Sequence, residues 1–286
     1  MVRPTNVLIT GSQGLIGATL GRVLSRAGIG WTGFDLAAGQ NILDRSAVRK
    51  AVEGCDAVMH GAAMLGHAHE DADEVFRVNV KGSHNVLTEA RAAGVKRFVY
   101  LSSVNVFGVF RGEKQPDYLP IDDAHPKSPD TPYGIAKHLA EELCRMACVA
   151  DPSMTAIALR PPGVWPPERY AQAARWMKAH PEIPGRGMWE YGAFLDVRDM
   201  AQACFSALTA DVLGYHAMLL AASDIVTSGF DSHTLATQLC PHAEWRGGAV
   251  FEADPTKSLV DDSVARKTIG YKPNYRWENG GAIPDA

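Results

Sequence analysis

Tyr133 and Lys137 are the residues whose types and spacing most directly suggest chemistry. In a helix, residues four apart lie on one face about one turn from each other, so the phenol and the ammonium would be neighbours. A tyrosine has an ordinary pKa of about 10, and a nearby positive charge lowers that pKa by stabilising the phenolate. Such a phenol can take the proton of a secondary alcohol while a hydride leaves the same carbon. Ser103, which follows a predicted strand, is expected to orient the substrate oxygen.

Because tyrosine and lysine often fall four apart by chance, the pair alone is a weak indication. A glycine-rich turn near the N-terminus strengthens it, since this turn joins a strand predicted at 7–9 to a helical pattern starting at Ala18. Gly11 can adopt backbone angles that side chains forbid, Gly14 lets a phosphate approach the main chain, and Gly17 allows close helix packing. The N–H groups that open the helix would then hold a pyrophosphate. A glycine-rich turn without a ligand is the simpler alternative.

Asp35 lies at the end of the second predicted strand, 29–36. A carboxylate at this position of a dinucleotide-binding unit accepts hydrogen bonds from the hydroxyls of the adenosine ribose. It would also repel the 2′-phosphate of NADP, and residues 36–39 supply no arginine to hold that phosphate. We therefore predict that the cofactor is NAD. The alternative is that Asp35 merely ends a strand.

Strands and helices alternate along the first part of the chain, which predicts an α/β fold with a parallel sheet. We expect a Rossmann-type doubly wound sheet with a small C-terminal substrate lobe. Residues 1–162 would form the NAD-binding domain and carry the serine, the tyrosine and the lysine. The stretch 105–132 is expected to be a long functional loop.

Composition excludes several classes of protein. The chain has 286 residues and a net charge of −4. This charge gives no case for a nucleic-acid partner, because recognition of nucleic acid requires a basic face. It has no long apolar run and no signal-like start, so we expect neither a membrane partner nor secretion. Five cysteines, odd in number and without a C-x-x-C pair, favour reduced thiols and a cytoplasmic location. Histidines and acids at 67–74 could suggest a metal, but a solvated loop explains them more simply, so we predict no metal site.

Four segments together resemble one known family. Residues 10–17 match the pattern T-G-x-x-G-x-x-G, 79–83 match N-V-x-G-T, 101–108 resemble a strand ending in S-S-x-x-V-Y-G, and 133–137 match Y-x-x-x-K. The chain thus resembles the extended short-chain dehydrogenase/reductases, also called the NAD-dependent epimerase/dehydratase family. The resemblance covers nearly the whole chain and is far more specific for the family than for the substrate.

The resemblance implies that residues 163–286 form most of the substrate lobe, with elements at about 194–222 returning to complete the main sheet. It also implies roles for individual residues. Ser103, Tyr133 and Lys137 would be catalytic, and Asn79 would lie near the active site and the cofactor. A homodimer would form through the helix that carries Tyr133. The residues expected to bind NAD are Gly11, Gln13, Gly14, Leu15, Ile16, Gly17, Asp35, Asn41, Ile42, Gly61, Ala62, Ala63, Asn79, Leu101, Tyr133, Lys137 and Pro161.

The second half departs from the family where the substrate would bind. Many nucleotide-sugar enzymes of the family carry an asparagine at the position of Gly163, and this asparagine helps to hold the substrate. Its absence and the short lobe weaken the case for a nucleotide-linked sugar. The residues expected to contact a sugar-like substrate are Asn105, Gly163, Arg186 and Arg198.

These expectations favour an NAD-dependent oxidoreductase that transfers hydride at a secondary alcohol of a sugar or sugar derivative, as a sugar or sugar-acid dehydrogenase does. The alternative is a nucleotide-sugar epimerase, similar to UDP-glucose 4-epimerase, that retains NAD. Dehydration is disfavoured because 103–105 contain no carboxylate, whereas family dehydratases carry an acid pair there. A non-catalytic NAD-binding protein is also disfavoured, because such a protein would be expected to lose Tyr133 or Lys137.

Overall fold

The structure of the protein is a computed structural model that describes residues 3–65, 71–111, 114–179 and 189–282. Within these ranges the strands are β1 (Asn6–Thr10), β2 (Gly30–Phe34), β3 (Ala57–His60), β4 (Arg97–Leu101), β5 (Tyr118–Leu119), β6 (Thr155–Arg160), β7 (Val164–Trp165), β8 (Leu195–Asp196), β9 (Gly214–Leu219) and β10 (Glu244–Trp245). The helices are α1 (Leu15–Arg26), α2 (Arg45–Val52), α3 (Ala72–Phe76), α4 (Ser83–Ala92), α5 (Pro132–Ala150), α6 (Glu168–Ala179), α7 (Val197–Thr209), α8 (Ser232–Leu239), α9 (Ala249–Ala253) and α10 (Ser263–Ile269).

The main sheet has six parallel strands in the order β2-β1-β3-β4-β6-β9. The strand order reverses direction between β1 and β3, and in open α/β sheets ligands bind in the crevice beyond the carboxyl ends of the strands at this point. The glycine-rich turn follows β1 at this position. The α/β class and the Rossmann-type sheet predicted from the sequence are therefore confirmed.

Successive side chains of the sheet alternate between two cores. Val7 and Ile9 of β1 pack on one face with α1, α7 and α10, whereas Leu8 packs on the other face with α2, α4 and α5. All three side chains are fully buried. This arrangement follows from the period of two along a strand, and it explains why the strands read as continuous apolar runs when helices cover both faces.

The apolar pattern of the segment 71–93 predicts one continuous helix, whereas the structure has a π-helical turn at Arg77–Gly82, between α3 and α4. One buried polar residue, Asn79, lies within this turn and is 1% exposed. Insertions of this kind are frequent at functional sites, because the wider turn re-aims side chains without ending the helix. The apolar periodicity of the segment gave no sign of the insertion.

The stretch 105–132, predicted from the sequence as a long functional loop, is partly regular in the structure. It begins in a 3-10 helix at Val104–Phe107, and its strand β5 pairs in parallel with β10 from the C-terminal part of the chain. An apolar cluster contains Phe107, Phe110 and Ile121 from this stretch and also Leu235 and Phe251. Packing against these distant residues fixes the stretch, which local sequence could not predict.

The described helices are all too short or too polar to cross a lipid bilayer. All five cysteines are buried free thiols, with Cys144 and Cys148 in one of the two main cores. The histidines and Glu70 of the 67–74 segment lie outside the described residues. In the described ranges, no group of histidine, cysteine and acidic side chains could hold a metal ion.

Candidate active site

The start of α5 presents Tyr133 and Lys137 at the carboxyl edge of the sheet. Thr131 caps the helix by accepting a hydrogen bond from the N–H of Gly134, and Pro132 occupies the first turn. Gly134 permits a close approach, since a Cβ on it would lie 2.6 Å from the carbonyl oxygen of Asn105. The helix start therefore lies directly against the 3-10 turn that follows Ser103.

Lys137 is buried beneath the phenol of Tyr133. Its Nζ donates a 2.6 Å hydrogen bond to the carbonyl oxygen of Leu101 and lies 5.5 Å from the centre of the Tyr133 ring and 5.0 Å from that of Tyr100. Burial lowers the pKa of Lys137 to about 7, against the opposing effect of the Glu141 charge. The ammonium is thus placed where it can stabilise a Tyr133 phenolate, at a cost in folding free energy.

Replacing Lys137 by methionine is expected to change the dependence of stability on pH. A lysine with a lowered pKa destabilises the fold most below pH 7, where it is protonated in both the folded and the unfolded chain. Between about pH 7 and 10.5 the unfolded chain holds the proton and the folded chain does not, so the destabilisation decreases as the pH rises. Lys137→Met should therefore gain stability relative to the wild type at pH 6.5 and lose that advantage near pH 10. Turnover should fall about 100-fold.

Denaturant unfolding at several pH values measures this difference. Lys96→Met is a suitable control, because Lys96 is exposed and its Nζ makes an ion pair 3.0 Å from Asp151. A difference between Lys137→Met and the wild type that does not vary with pH would contradict a buried ammonium.

Ser103 lies at the end of β4, where two strand ends are tied together. It is 7% exposed, and its Oγ accepts a hydrogen bond of 3.2 Å from the N–H of Asn105. The N–H of Val104 donates to the carbonyl oxygen of Pro161 across a distance of 3.1 Å. Leu101, Ser103 and Pro161 are therefore held at the same edge, beside the start of α5.

The glycine-rich turn has the shape that a dinucleotide requires. Gly11 has φ +73°, and a Cβ on it would lie 2.8 Å from the N of Ala62. A Cβ on Gly17 would lie 2.2 Å from the carbonyl oxygen of Gly11, so a side chain would separate α1 from the turn. No side chain in the described part of the chain caps α1 at Gly14, which leaves the N–H groups around Leu15 and Ile16 for an anion. These residues fit the pyrophosphate of NAD.

Asp35 links the glycine-rich turn to the end of β2 by hydrogen bonds. Its Oδ2 accepts a 2.9 Å hydrogen bond from the N–H of Gln13, and its Oδ1 accepts one of 2.9 Å from Ala37. Its remaining lone pairs can accept from ribose hydroxyls. Asn41 and Ile42 lie on the loop beyond β2, and a Cβ on Gly82 would lie 2.5 Å from Cδ1 of Ile42.

A hydrogen-bonded chain connects the loop after β3 to the π-helical turn. The N–H of Ala62 donates to Oγ1 of Thr10, which lies 2.6 Å from Nδ1 of His60. Nε2 of His60 lies 2.9 Å from Oγ of Ser83, whose hydroxyl donates to the carbonyl oxygen of Asn79. Burial lowers the pKa of His60 to about 3, with the charge on Lys137 acting in the same direction, so the ring is neutral. The directions of the bonds assign the ring proton to Nε2.

Asn79 clamps the loop that contains Gly61, Ala62 and Ala63. Its Oδ1 accepts a 2.7 Å hydrogen bond from the N–H of Met64, and its Nδ2 donates to the carbonyl oxygen of the same residue at 2.8 Å. A buried amide must satisfy both of its polar atoms, and here the loop backbone satisfies them. This pairing explains a polar residue within an otherwise apolar helical pattern.

A buried ion-pair network supports the site from behind. Glu141, one turn after Lys137, accepts a 2.6 Å hydrogen bond from Ser102 and two from Arg160, at 2.9 and 2.7 Å. Arg160 also contacts Asp123 at 2.9 Å, and Asp123 accepts from the backbone N–H of Leu219. Burial raises the pKa of Asp123 to about 6, although Arg160 opposes the shift. The network joins α5 to the ends of β4, β6 and β9.

The four residues expected to contact the substrate differ in where they lie and what they contact. Asn105 lies in the 3-10 turn after Ser103, and the N–H of Gly163 donates to a carboxylate oxygen of Glu190. Arg186 lies outside the described residues. Arg198 forms two hydrogen bonds with Asp196, donates to the carbonyl oxygen of Gly281, and stacks 3.5 Å from the centre of the Tyr275 ring. Because these contacts use the guanidinium to anchor the C-terminal segment, we leave Arg198 out of the proposed substrate site.

Comparison with known proteins identifies the family. The family model described as the NAD dependent epimerase/dehydratase family matches residues 7–220, which is most of the chain. The chain belongs to this family. NAD is accordingly its cofactor, and the glycine-rich turn fits that cofactor.

Several relatives of this epimerase/dehydratase-family protein are known. The uncharacterized protein y4nG of Sinorhizobium fredii is 32% identical over 310 residues, covering 94% of this chain and 74% of that protein. UDP-glucose 4-epimerase of Bos taurus is 37% identical over 125 residues, covering 42% of this chain and 34% of the enzyme. Uronate dehydrogenase of Pseudomonas putida is 35% identical over 104 residues, covering 36% of each protein. The chain spans about a third of the length of these two enzymes.

A solved structure shares the whole fold. A short-chain dehydrogenase/reductase superfamily protein from Agrobacterium tumefaciens with bound NAD has a TM-score of 0.70 and 24% identity, covering 96% of this chain and 94% of that one. At this identity the likeness shows the fold.

Analysis of the sequence alone missed two features of the site. Glu141 lies one helical turn beyond Lys137, so its spacing could have predicted a buried partner on the same face. Glu190 gave no local signal, because its position depends on a turn with left-handed backbone angles and on contacts with distant residues.

Proposed function

We propose that this protein is an NAD-dependent dehydrogenase that oxidises a secondary alcohol of a sugar or sugar derivative. The observation that carries the proposal is the convergence of Tyr133, buried Lys137 and Ser103 at the strand ends beside the glycine-rich turn. Each supplies a function that alcohol oxidation needs: a base, a positive charge that activates the base, and a donor for the substrate oxygen.

The proposed mechanism assigns one task to each residue. NAD, when bound, supplies the acceptor for the hydride. Ser103 donates a hydrogen bond that orients the substrate hydroxyl oxygen, and Tyr133 removes the proton from this oxygen as a phenolate. Lys137 stabilises the phenolate through its charge and is itself held in place by the carbonyl oxygen of Leu101. In the reverse direction Tyr133 returns the proton to the carbonyl oxygen.

A nucleotide-sugar epimerase that retains NAD is the second candidate, and the match to UDP-glucose 4-epimerase favours it. The same three residues would remove the hydroxyl proton and later return it to the carbonyl oxygen of a transient ketone. Inversion would require the bound cofactor to supply its hydride to the opposite face of that ketone. Gly163 and the short lobe favour the dehydrogenase, because fewer side chains are then available to bind a nucleotide.

Absorbance of NADH separates the two candidates. Purified protein is mixed with NAD and, in turn, with neutral sugars, sugar acids and UDP-sugars. Stoichiometric release of NADH with one class of sugar supports the dehydrogenase. Conversion of a UDP-sugar without net NADH, with cofactor remaining bound, contradicts it and supports the epimerase.

Exchange of the residue at the end of β2 should change the preference for the cofactor. Leu36 is 71% exposed, so an arginine is tolerated there, and Asp35→Ala combined with Leu36→Arg removes the repulsion and adds a partner for a 2′-phosphate. The ratio of kcat/KM for NADP to that for NAD should rise about 100-fold. Leu36→Gln serves as the control, and a wild type that already prefers NADP would overturn this role of Asp35.

We also propose a homodimer formed through α5. Ile135, Leu139, Met146 and Val149 are each at least 38% exposed and fall on one stripe of this helix, and Phe76 of α3 is 51% exposed. Light scattering should give the mass of a dimer for the wild type and of a monomer for Leu139→Glu. Leu213→Glu, at an exposed position outside the stripe, should leave the dimer intact. A monomeric wild type would rule out this interface.

A further inference from the structure

We propose that Glu190 is a substrate-binding residue that accepts hydrogen bonds from a neutral, hydroxyl-bearing part of the sugar and disfavours substrates with a carboxylate or phosphate at that position. The inference rests on the proposed dehydrogenase function and narrows its substrate class. Gly163 has no side chain, and the inference is that the Glu190 side chain binds the substrate at this position instead.

The carboxylate of Glu190 occupies the space beside Gly163. One of its oxygens accepts the N–H of Gly163, and a Cβ on that glycine would lie 3.2 Å from the same oxygen. Gly163 follows Pro161, whose carbonyl oxygen is bonded to Val104, the residue after Ser103. Glu190 therefore contacts the segment that leaves the carboxyl end of β6, and this segment is hydrogen-bonded to the residue that follows Ser103.

The loop that follows β4 contacts Tyr191, the residue after Glu190 in the same turn. The hydroxyl of Tyr191 donates to the carbonyl oxygen of Val109, and its ring lies 5.5 Å from that of Phe110. The charge on Arg111 acts on Glu190 from the same loop. Glu190 is thus bracketed by the segments that leave β4 and β6, which are the two strands nearest to Ser103.

The backbone at this turn adopts left-handed angles at two successive residues that carry side chains. Glu190 has φ 62° and ψ 30°, and Tyr191 has φ 59° and ψ 36°. Residues with side chains adopt this left-handed region at a cost, and glycine or asparagine would occupy it more easily. Such outliers cluster at binding sites, where the surrounding structure holds them. The left-handed angles place the Glu190 carboxylate beside Gly163, at the carboxyl end of β6.

The charge and the hydrogen-bonding capacity of Glu190 define what it can bind. A carboxylate has room for several hydrogen bonds, and the Gly163 N–H uses only part of that capacity. Sugar hydroxyls are donors and match the remaining capacity, whereas an anionic group would be repelled more strongly here than in water. Burial raises the pKa of Glu190 to about 7, with the Gly163 N–H and Arg111 opposing the shift, so the group is ionised at pH 9.

The experiment compares paired substrates at pH 9. Rates of NADH formation with NAD are measured for galactose and galacturonate, and for glucose and glucuronate, in the wild type and in Glu190→Gln. The glutamine keeps an acceptor for the Gly163 N–H and removes the charge. We expect the wild type to favour the neutral sugars, and we expect Glu190→Gln to raise their KM about tenfold with kcat nearly unchanged and to reduce the preference over the uronates about tenfold.

Glu190→Gly separates this role from a structural one. Glycine relieves the left-handed backbone strain and removes the side chain, so we expect a melting temperature equal to or above that of the wild type together with the same loss of selectivity. A melting temperature clearly below the wild type, with selectivity preserved, would show that Glu190 acts only in folding and would overturn the proposal. A wild type that prefers uronates would also overturn it.

Binding measurements distinguish failure of the inference from failure of the proposed function. If no sugar yields NADH, the dehydrogenase is contradicted, and calorimetry with the NAD-loaded Tyr133→Phe protein then tests Glu190 directly. Neutral sugars that bind this protein about tenfold more weakly when Glu190→Gln is added support the inference. Equal binding by the two proteins, or binding by neither, overturns it.

Discussion

Tyr133→Phe is expected to lower kcat by at least about 1000-fold, with the dissociation constant for NAD changed by less than about threefold. The substitution removes one hydroxyl, which is the only group in the proposed mechanism that moves the substrate proton. The ring remains to cover Lys137, whose Nζ lies 5.5 Å from the ring centre, so the helix start should keep its structure. Turnover with the best substrate and fluorescence titration with NADH give the two quantities.

A matched control for this variant exists on the neighbouring ring. Tyr100→Phe also removes a hydroxyl from a ring that lies close to Lys137, since the ring centre is 5.0 Å from Nζ, but Tyr100 is 2% exposed and lies in a main core. It should retain turnover within about tenfold. If Tyr133→Phe retains turnover to the same extent as Tyr100→Phe, Tyr133 is not the acid/base group.

Arg160→Met is expected to reduce the free energy of unfolding by about 3–5 kcal/mol. The Arg160 side chain is 4% exposed and bridges Glu141 and Asp123, so its removal takes the ion-pair partner away from both carboxylates. The deficit should shrink as the pH falls toward 5, because protonation removes the uncompensated negative charge. Chemical denaturation at pH 5 and pH 8 measures both effects.

A surface ion pair provides the comparison for Arg160. Arg145 pairs with Glu142 at 2.8 Å, and both side chains are more than 40% exposed. Arg145→Met should cost less than about 1 kcal/mol, since water and salt screen such pairs. If the two variants lose the same stability, the buried network does not hold α5 against the strand ends.

The network also shows where analysis of the sequence reached its limit. The Y-x-x-x-K spacing placed Tyr133 and Lys137 on one face of a helix, and α5 has that geometry. The same spacing extended by one turn reaches Glu141, but nothing local indicates that Arg160 and Asp123 meet it. Those partners come from a later strand and a long loop, and only the parallel sheet brings them together.

The stretch between 105 and 132 shows a second limit. Its proline and aspartate content predicted a loop, whereas β5 forms because β10, more than a hundred residues later, pairs with it. Short strands of this kind depend on a partner for their hydrogen bonds, so their own sequence has little predictive value.

Local sequence determined the fold class of this protein, its family and its cofactor. Apolar runs of the right length specify buried parallel strands, and the glycines of the first turn specify close approach to a phosphate, because both rest on sterics and hydrogen bonding within a few residues. The tertiary structure alone decided that Arg198 anchors the C-terminal segment and that Glu190 lies beside Gly163. Charge-bearing side chains reach several ångströms from their backbone, and their partners are set by how distant segments pack. The contacts of Arg198 and Glu190 could therefore be assigned only from the tertiary structure.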